Sequence, residues 1–241
     1  MTAIIKQVAT RGGGHKYQVE NDPRVDPTKL LKSCSGIASY SDNSSADGLI
    51  YWGIHAYRKT QKIGAFKDLQ KEAMKIGSDL HAEIHQFIAT GDHPAESSIL
   101  YDRWFDSMAE HGITYENWRQ AEMRVYYAES GGLYGGTIDA IGQDQSGVMT
   151  LWDWKTTSLL DSKGNPKKLG SASHAAQVAG YYLALQTMLP EDVPDMPTQA
   201  IICYICKDTG DIIQRPINLE RACQAFAACL SLFRVEGELY E

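Results

Sequence analysis

The sequence predicts a single domain of the α/β (α+β) class, a β-sheet flanked by helices, and three observations carry that expectation. In the first half, apolar residues recur at helical spacing, as in Ile76, Leu80, Ile84 and Phe87. The texture then changes to short runs rich in β-branched and aromatic residues, parted by glycine-containing turns. The last part alternates helix, hairpin and helix patterns. A length of 241 residues suits one well-packed domain, and a composition of 43% hydrophobic and 22% charged residues excludes a disordered chain or a coiled-coil rod.

Taken in order, helices are expected from Gly48 to Lys59, from Phe66 to Thr90 and from about Ala95 to Glu110. Gly112 is a natural stop for the third. Residues 1–112 therefore read as a helical N-terminal region. Trp118 to Ala128, Gly136 to Gly142 and Val148 to Thr156 read as consecutive antiparallel strands. Ser171 to Met188 returns to helix. Thr198 to Lys207 and Asp211 to Leu219 suggest a hairpin around Thr209-Gly210, giving a core over residues 113–219. A C-terminal helix over residues 220–235 closes the domain.

Several classes of function are set aside by what the sequence lacks. No apolar stretch approaches the roughly 20 residues of a membrane span, and Met1 to Thr10 does not read as a secretion signal, so an intracellular protein is expected. The five cysteines are an odd number and read as free thiols. Cys203 and Cys206 stand three apart in an apolar strand and point to opposite faces, which argues against an iron-sulfur cluster. His81 and His85 are one turn apart, but His-Ala-Glu-Ile-His is not the zinc-protease pattern, and His85 is given no role. There is no phosphate-binding loop for ATP, so a helicase motor would have to be a partner.

The net charge of −7 is unevenly spread. Residues 1–75 hold 12 Lys and Arg against 7 Asp and Glu, a balance of +5, and the remaining residues hold 11 against 23, a balance of −12. A basic rim beside an acidic site is thus permitted. Lys59, Lys62, Lys67, Lys71 and Lys75 read first as the solvated face of a helix.

Two stretches carry chemistry: Gly135-Gly136-Thr137-Ile138-Asp139 and Leu151-Trp152-Asp153-Trp154-Lys155-Thr156. Strand alternation puts Asp153 and Lys155 on one face and Trp152, Trp154 and Thr156 on the other. A carboxylate buried there costs several kcal/mol unless a partner compensates it. An isolated Asp-x-Lys would serve equally as a buried ion pair. Asp139 on the preceding antiparallel strand can approach Asp153, however, and the two would suit one hard cation such as Mg²⁺ or Mn²⁺.

Gly-Thr-Ile-Asp139 followed by Asp153-Trp-Lys155 resembles the core of the PD-(D/E)XK nucleases. Gln177-Val-Ala-Gly-Tyr181 is similar to the Gln-x-x-x-Tyr signature of their RecB-like branch. Gly77-Ser-Asp-Leu-His81 is similar to the branch's upstream Gly-x-x-x-His motif. The resemblance runs from about Gly77 to Leu185 and extends to the mitochondrial genome maintenance exonuclease and phage exonucleases. It implies a restriction-endonuclease-like fold with a central mixed β-sheet flanked by helices, and a Mg²⁺- or Mn²⁺-dependent DNA exonuclease of recombination, repair, replication or degradation. Its substrate would be single strands or duplex ends, with a helicase or recombination partner conceivable.

On that resemblance Asp139, Asp153 and Lys155 are catalytic, and Asp139, Asp153, His81 and Glu122 surround the metal. Gln177 and Tyr181 hold the nucleic acid. Glu122 could instead pair with Arg124 on a solvated strand face. A structure-selective endonuclease, or an inactive binding protein of the same fold, would carry many of the same residues.

Overall fold

A computed structural model describes residues 2–10, 15–41, 65–129, 133–160, 164–167, 169–188, 190–193 and 195–239. The expected helix from Gly48 to Lys59, with Trp52, and the neighbouring Lys62 lie outside them. The strands are β1 (Ile4–Ala9), β2 (His15–Glu20), β3 (Leu31–Ser33), β4 (Trp118–Tyr126), β5 (Tyr134–Gln143), β6 (Met149–Thr157), β7 (Gln199–Cys206) and β8 (Ile212–Pro216). The helices among the described residues are α1 (Cys34–Ala38), α2 (Ala65–Thr90), α3 (Ile99–Glu110), α4 (Ala172–Thr187) and α5 (Leu219–Leu239). The strands form one mixed sheet in the order β1-β2-β3-β5-β6-β7-β8, with β4 on the other edge of β5.

The three central strands and the two that follow stand within a few residues of their expected places, and β4, β5 and β6 are antiparallel neighbours as read. Helix α3 starts later than expected because Ser98 is its cap. The Ser98 hydroxyl accepts from the Tyr101 N–H, and Glu83 of α2 accepts from both the Ser98 N–H and hydroxyl. The N-terminal region holds helices, and it also holds three strands that the sequence reading did not include. β1 and β2 pair from Ile4↔Glu20 to Ala9↔His15, and β3 joins them to β5 in parallel.

Helices cover both faces. On one, α1, α4 and α5 pack over Leu151, Ile202 and Tyr204. On the other, α2 and α3 pack over Trp152, Trp154, Ile201 and Cys203. β6 and β7 are parallel and sandwiched on both sides, which is why β7 is a nearly unbroken apolar run, Gln-Ala-Ile-Ile-Cys-Tyr-Ile-Cys. Trp104, Trp118, Trp152 and Trp154 form a contiguous aromatic cluster under α2 and α3. All five cysteines are free.

The sheet divides at β5. Along one edge β5 pairs with β4 from Gly135 to Gly142. Along the other it pairs with β3 at Tyr134 and Gly135, then with β6 only from Ala140 onward. The stretch from Gly136 to Asp139 thus lies in a fork between β3 and β6. Gly136 faces the Tyr181 ring of α4 so closely that a methyl group there would overlap it. Tyr17 of β2 crosses Gly135, and its hydroxyl meets Thr137 Oγ1 at 3.1 Å. The hairpin is therefore laid against the mouth of the fork.

The segment after β2 is fixed by a buried carboxylate. Asp22 accepts from Arg24 and from the Tyr126 hydroxyl at 2.7 Å, while Arg24 also donates to the Thr187 carbonyl at the end of α4. The Arg24 guanidinium, helped by Tyr126, outweighs burial and holds the Asp22 carboxyl at about 2.

Candidate active site

At the fork, one rung of the sheet collects three acids. One step beyond the Ala140↔Trp152 pair, Asp139 is level with Asp153. Between the pairs Ala121↔Ala140 and Met123↔Ile138, Glu122 is level with Asp139. The ladder ends there because the Trp154 N–H donates to the Asp139 carboxylate, at 2.7 Å, rather than to a β5 carbonyl. Glu122 has a φ of +50°, left-handed backbone that a non-glycine residue adopts only at a cost.

Helix α2 brings His81 over this rung. Its Nδ1 lies 3.4 Å from Asp139 Oδ1, and its Nε2 lies 3.1 Å from the Trp154 carbonyl oxygen. One ligand atom each from His81, Glu122 and Asp139 fall within 4.8 Å of one another, close enough to share a cation. Asp153 is 1% exposed and paired with Lys155, whose Nζ lies 2.8 Å from Oδ1 in hydrogen-bonding geometry. Nζ also lies 2.7 Å from the buried Oδ2, so the ammonium spans both carboxylate oxygens.

The charges follow from these contacts. Burial pushes the Asp139 carboxyl up, but His81, Lys155 and the Trp154 N–H together bring it below its ordinary value. Asp153 is pushed up to about 6 by burial and by the charge of Asp139, against the pull of Lys155. Burial works against charge on Lys155 and His81, but the neighbouring aspartates outweigh it and raise both. Glu122 is raised by burial and then by Asp139. The dense acidic rung is thus flanked by Lys155 and by His81, whose hold on a proton the aspartates strengthen.

A cleft of about 600 Å³ opens over the rung. Of the expected residues, His81, Glu122, Asp139 and Tyr181 line it, whereas Asp153, Lys155 and Gln177 do not. Gln177 donates from Nε2 to the Tyr181 hydroxyl at 2.6 Å, so the two meet on one face of α4. Arg124 does not take Glu122 as its partner and donates instead to the Ile5 carbonyl. The sequence reading missed the other wall, made by Gln7, His15 and Tyr17 of the hairpin; His85, which it gave no role, lines the cleft one turn beyond His81. The helical interval from His81 to His85 was visible, but nothing local tied the hairpin to the site.

The profile of the PD-(D/E)XK nuclease superfamily matches residues 54–234, a span holding the rung, Lys155, His81, Gln177 and Tyr181. The chain belongs to the PD-(D/E)XK nuclease superfamily. PD-(D/E)XK nucleases use divalent metal ions, and the acids at the fork of this member suit one. No curated protein matches the chain. Among solved structures, that of SSO0001 aligns at a TM-score of 0.35 with 14% identity, over 74% of this chain and 69% of that one. No described helix is long and apolar enough to cross a membrane.

Proposed function

We propose that this PD-(D/E)XK protein is a Mg²⁺- or Mn²⁺-dependent deoxyribonuclease of the RecB-like branch that removes nucleotides from DNA ends. The observation that carries the reading is the rung itself: His81, Glu122 and Asp139 within shared-ligand distance, beside a buried Asp153 paired with Lys155. In this reading Asp139, Asp153, Glu122 and His81 hold the cation. The oxygen-rich set suits a hard ion, which would polarise the scissile phosphate and acidify a bound water.

The chain's own groups do the rest. Lys155, kept charged by Asp153 and Asp139, orients the attacking water and counters charge that develops on the phosphate. Tyr181, set by Gln177, presents its phenol at the cleft wall to a backbone phosphate. A process in recombination, repair, replication or degradation, with a separate helicase as partner, fits this reading.

The test is cleavage of linear and circular DNA, single- and double-stranded, with Mg²⁺, Mn²⁺ or EDTA. Metal-dependent loss of linear substrate is expected, with circles spared. Asp139→Asn and Lys155→Ala should each lower the rate by roughly 10²-fold or more. Cleaved circles would replace the exonuclease by a structure-selective endonuclease. Tight binding without cleavage would leave a binding protein of nuclease fold.

A further inference from the structure

The cleft accounts for one end of the exposed face of α2. From the N-terminal side, Lys67, Lys71, Met74, Ser78, Ala82 and His85 follow one another in steps of three or four residues, which keeps them on one face of the helix. All six are exposed. The last three line the cleft and the first three lie outside it. The core contacts of α2, through Leu80, Ile84 and Phe87, are on another side.

We propose that this face of α2 is the track on which the uncleaved part of a single-stranded polynucleotide lies, with phosphates at Lys67 and Lys71 and a base against Met74. The proposal rests on the nuclease reading and extends it to the strand outside the active site. Four helical residues rise about 6 Å, close to the distance between neighbouring phosphates of an extended single strand. Lys67 and Lys71 are therefore spaced for successive phosphates.

From 67 to 79 the helix holds as many acids as lysines, so what counts is the row that Lys67 and Lys71 make on this face. The acidic rung repels a polyanion, and the chain as a whole carries −7, so the attraction that brings a strand in must be local. Lys75, one step to the side, is occupied by Asp79 at 2.5 Å. Among the described residues, neither Lys67 nor Lys71 has such an ion pair. Met74 is 62% exposed, an apolar, adaptable side chain lying in line between the lysines and the cleft. Such a side chain packs against any base without reading its identity.

The test separates binding from chemistry. Anisotropy of a labelled oligothymidine long enough to span α2 and the cleft is measured in EDTA at several salt concentrations. The probe is bound to the wild type, to Lys67→Gln/Lys71→Gln, and to the charge-matched control Lys207→Gln/Arg221→Gln. The first variant should bind roughly tenfold more weakly, with a salt slope smaller by about 1.4, the release of two phosphate contacts. The control should change little. Unchanged affinity and slope in the first variant, or an equal loss in the control, would overturn the track. Cleavage with Mg²⁺ is scored separately: track-dependent binding without cleavage sinks the nuclease reading alone, and cleavage with track-independent binding sinks the track alone.

Discussion

Glu122 is held at a φ of +50°, level with Asp139. Backbone of this kind costs about 1–3 kcal/mol, and glycine relieves it. Glu122→Gly is therefore expected to raise stability in urea denaturation by roughly 1 kcal/mol while weakening divalent-metal binding. A variant that is less stable and binds metal normally would show that the side chain serves the fold. The pH dependence follows from the same rung. Asp153 is pushed up to about 6, and Glu122 and His81 are raised as well. Each must lose its proton to serve as a ligand, so protons compete with the cation on the acid side. Mn²⁺ affinity measured by calorimetry should rise from pH 5.5 to pH 8, on the order of tenfold, with proton release. A flat profile would remove these groups from the ligand set. Asp139, held below its usual value, does not titrate in that range.

At the scale of elements, the site depends on how closely α4 and the hairpin approach β5. Gly136 leaves room for the Tyr181 ring, and Cys34 Cβ stands 3.3 Å from where a methyl group would be. Gly136→Ala should cost about 1–3 kcal/mol in chemical denaturation, because a packed ring and strand cannot yield cheaply. It should also displace Tyr181 from the cleft; an unchanged midpoint would mean that the contact is slack. The sequence made the central strands and the Asp153/Lys155 face legible because alternation in a strand dictates them. The β1–β2 hairpin was not read, although Tyr17 and Val19 alternate with Lys16 and Gln18 as a half-buried strand does. Its signal is six residues long, and its place at the site depends on contacts with Gly135 and Thr137, more than a hundred residues away. The left-handed backbone of Glu122 was equally hidden, since Ala-Glu-Met-Arg-Val holds no glycine or turn residue to announce it.

For the whole molecule, the two faces of the sheet divide the labour. One core, with α4 and Tyr181, supports the rung; the other holds the packed indoles and supplies His81 through α2. We propose that the chain forms a single domain, since β6 and β7 place side chains in both cores. Trp152 and Trp154 flank Asp153 along the strand, and the Trp154 carbonyl oxygen touches His81. The arrangement gives the protein a built-in optical probe of its own ligand site. A divalent cation arriving on the rung alters the electric field at these stacked indoles, so ultraviolet emission should shift as Mg²⁺ is titrated, with neither dye nor substrate present. In Asp139→Asn the shift should vanish, and its persistence would place the cation elsewhere.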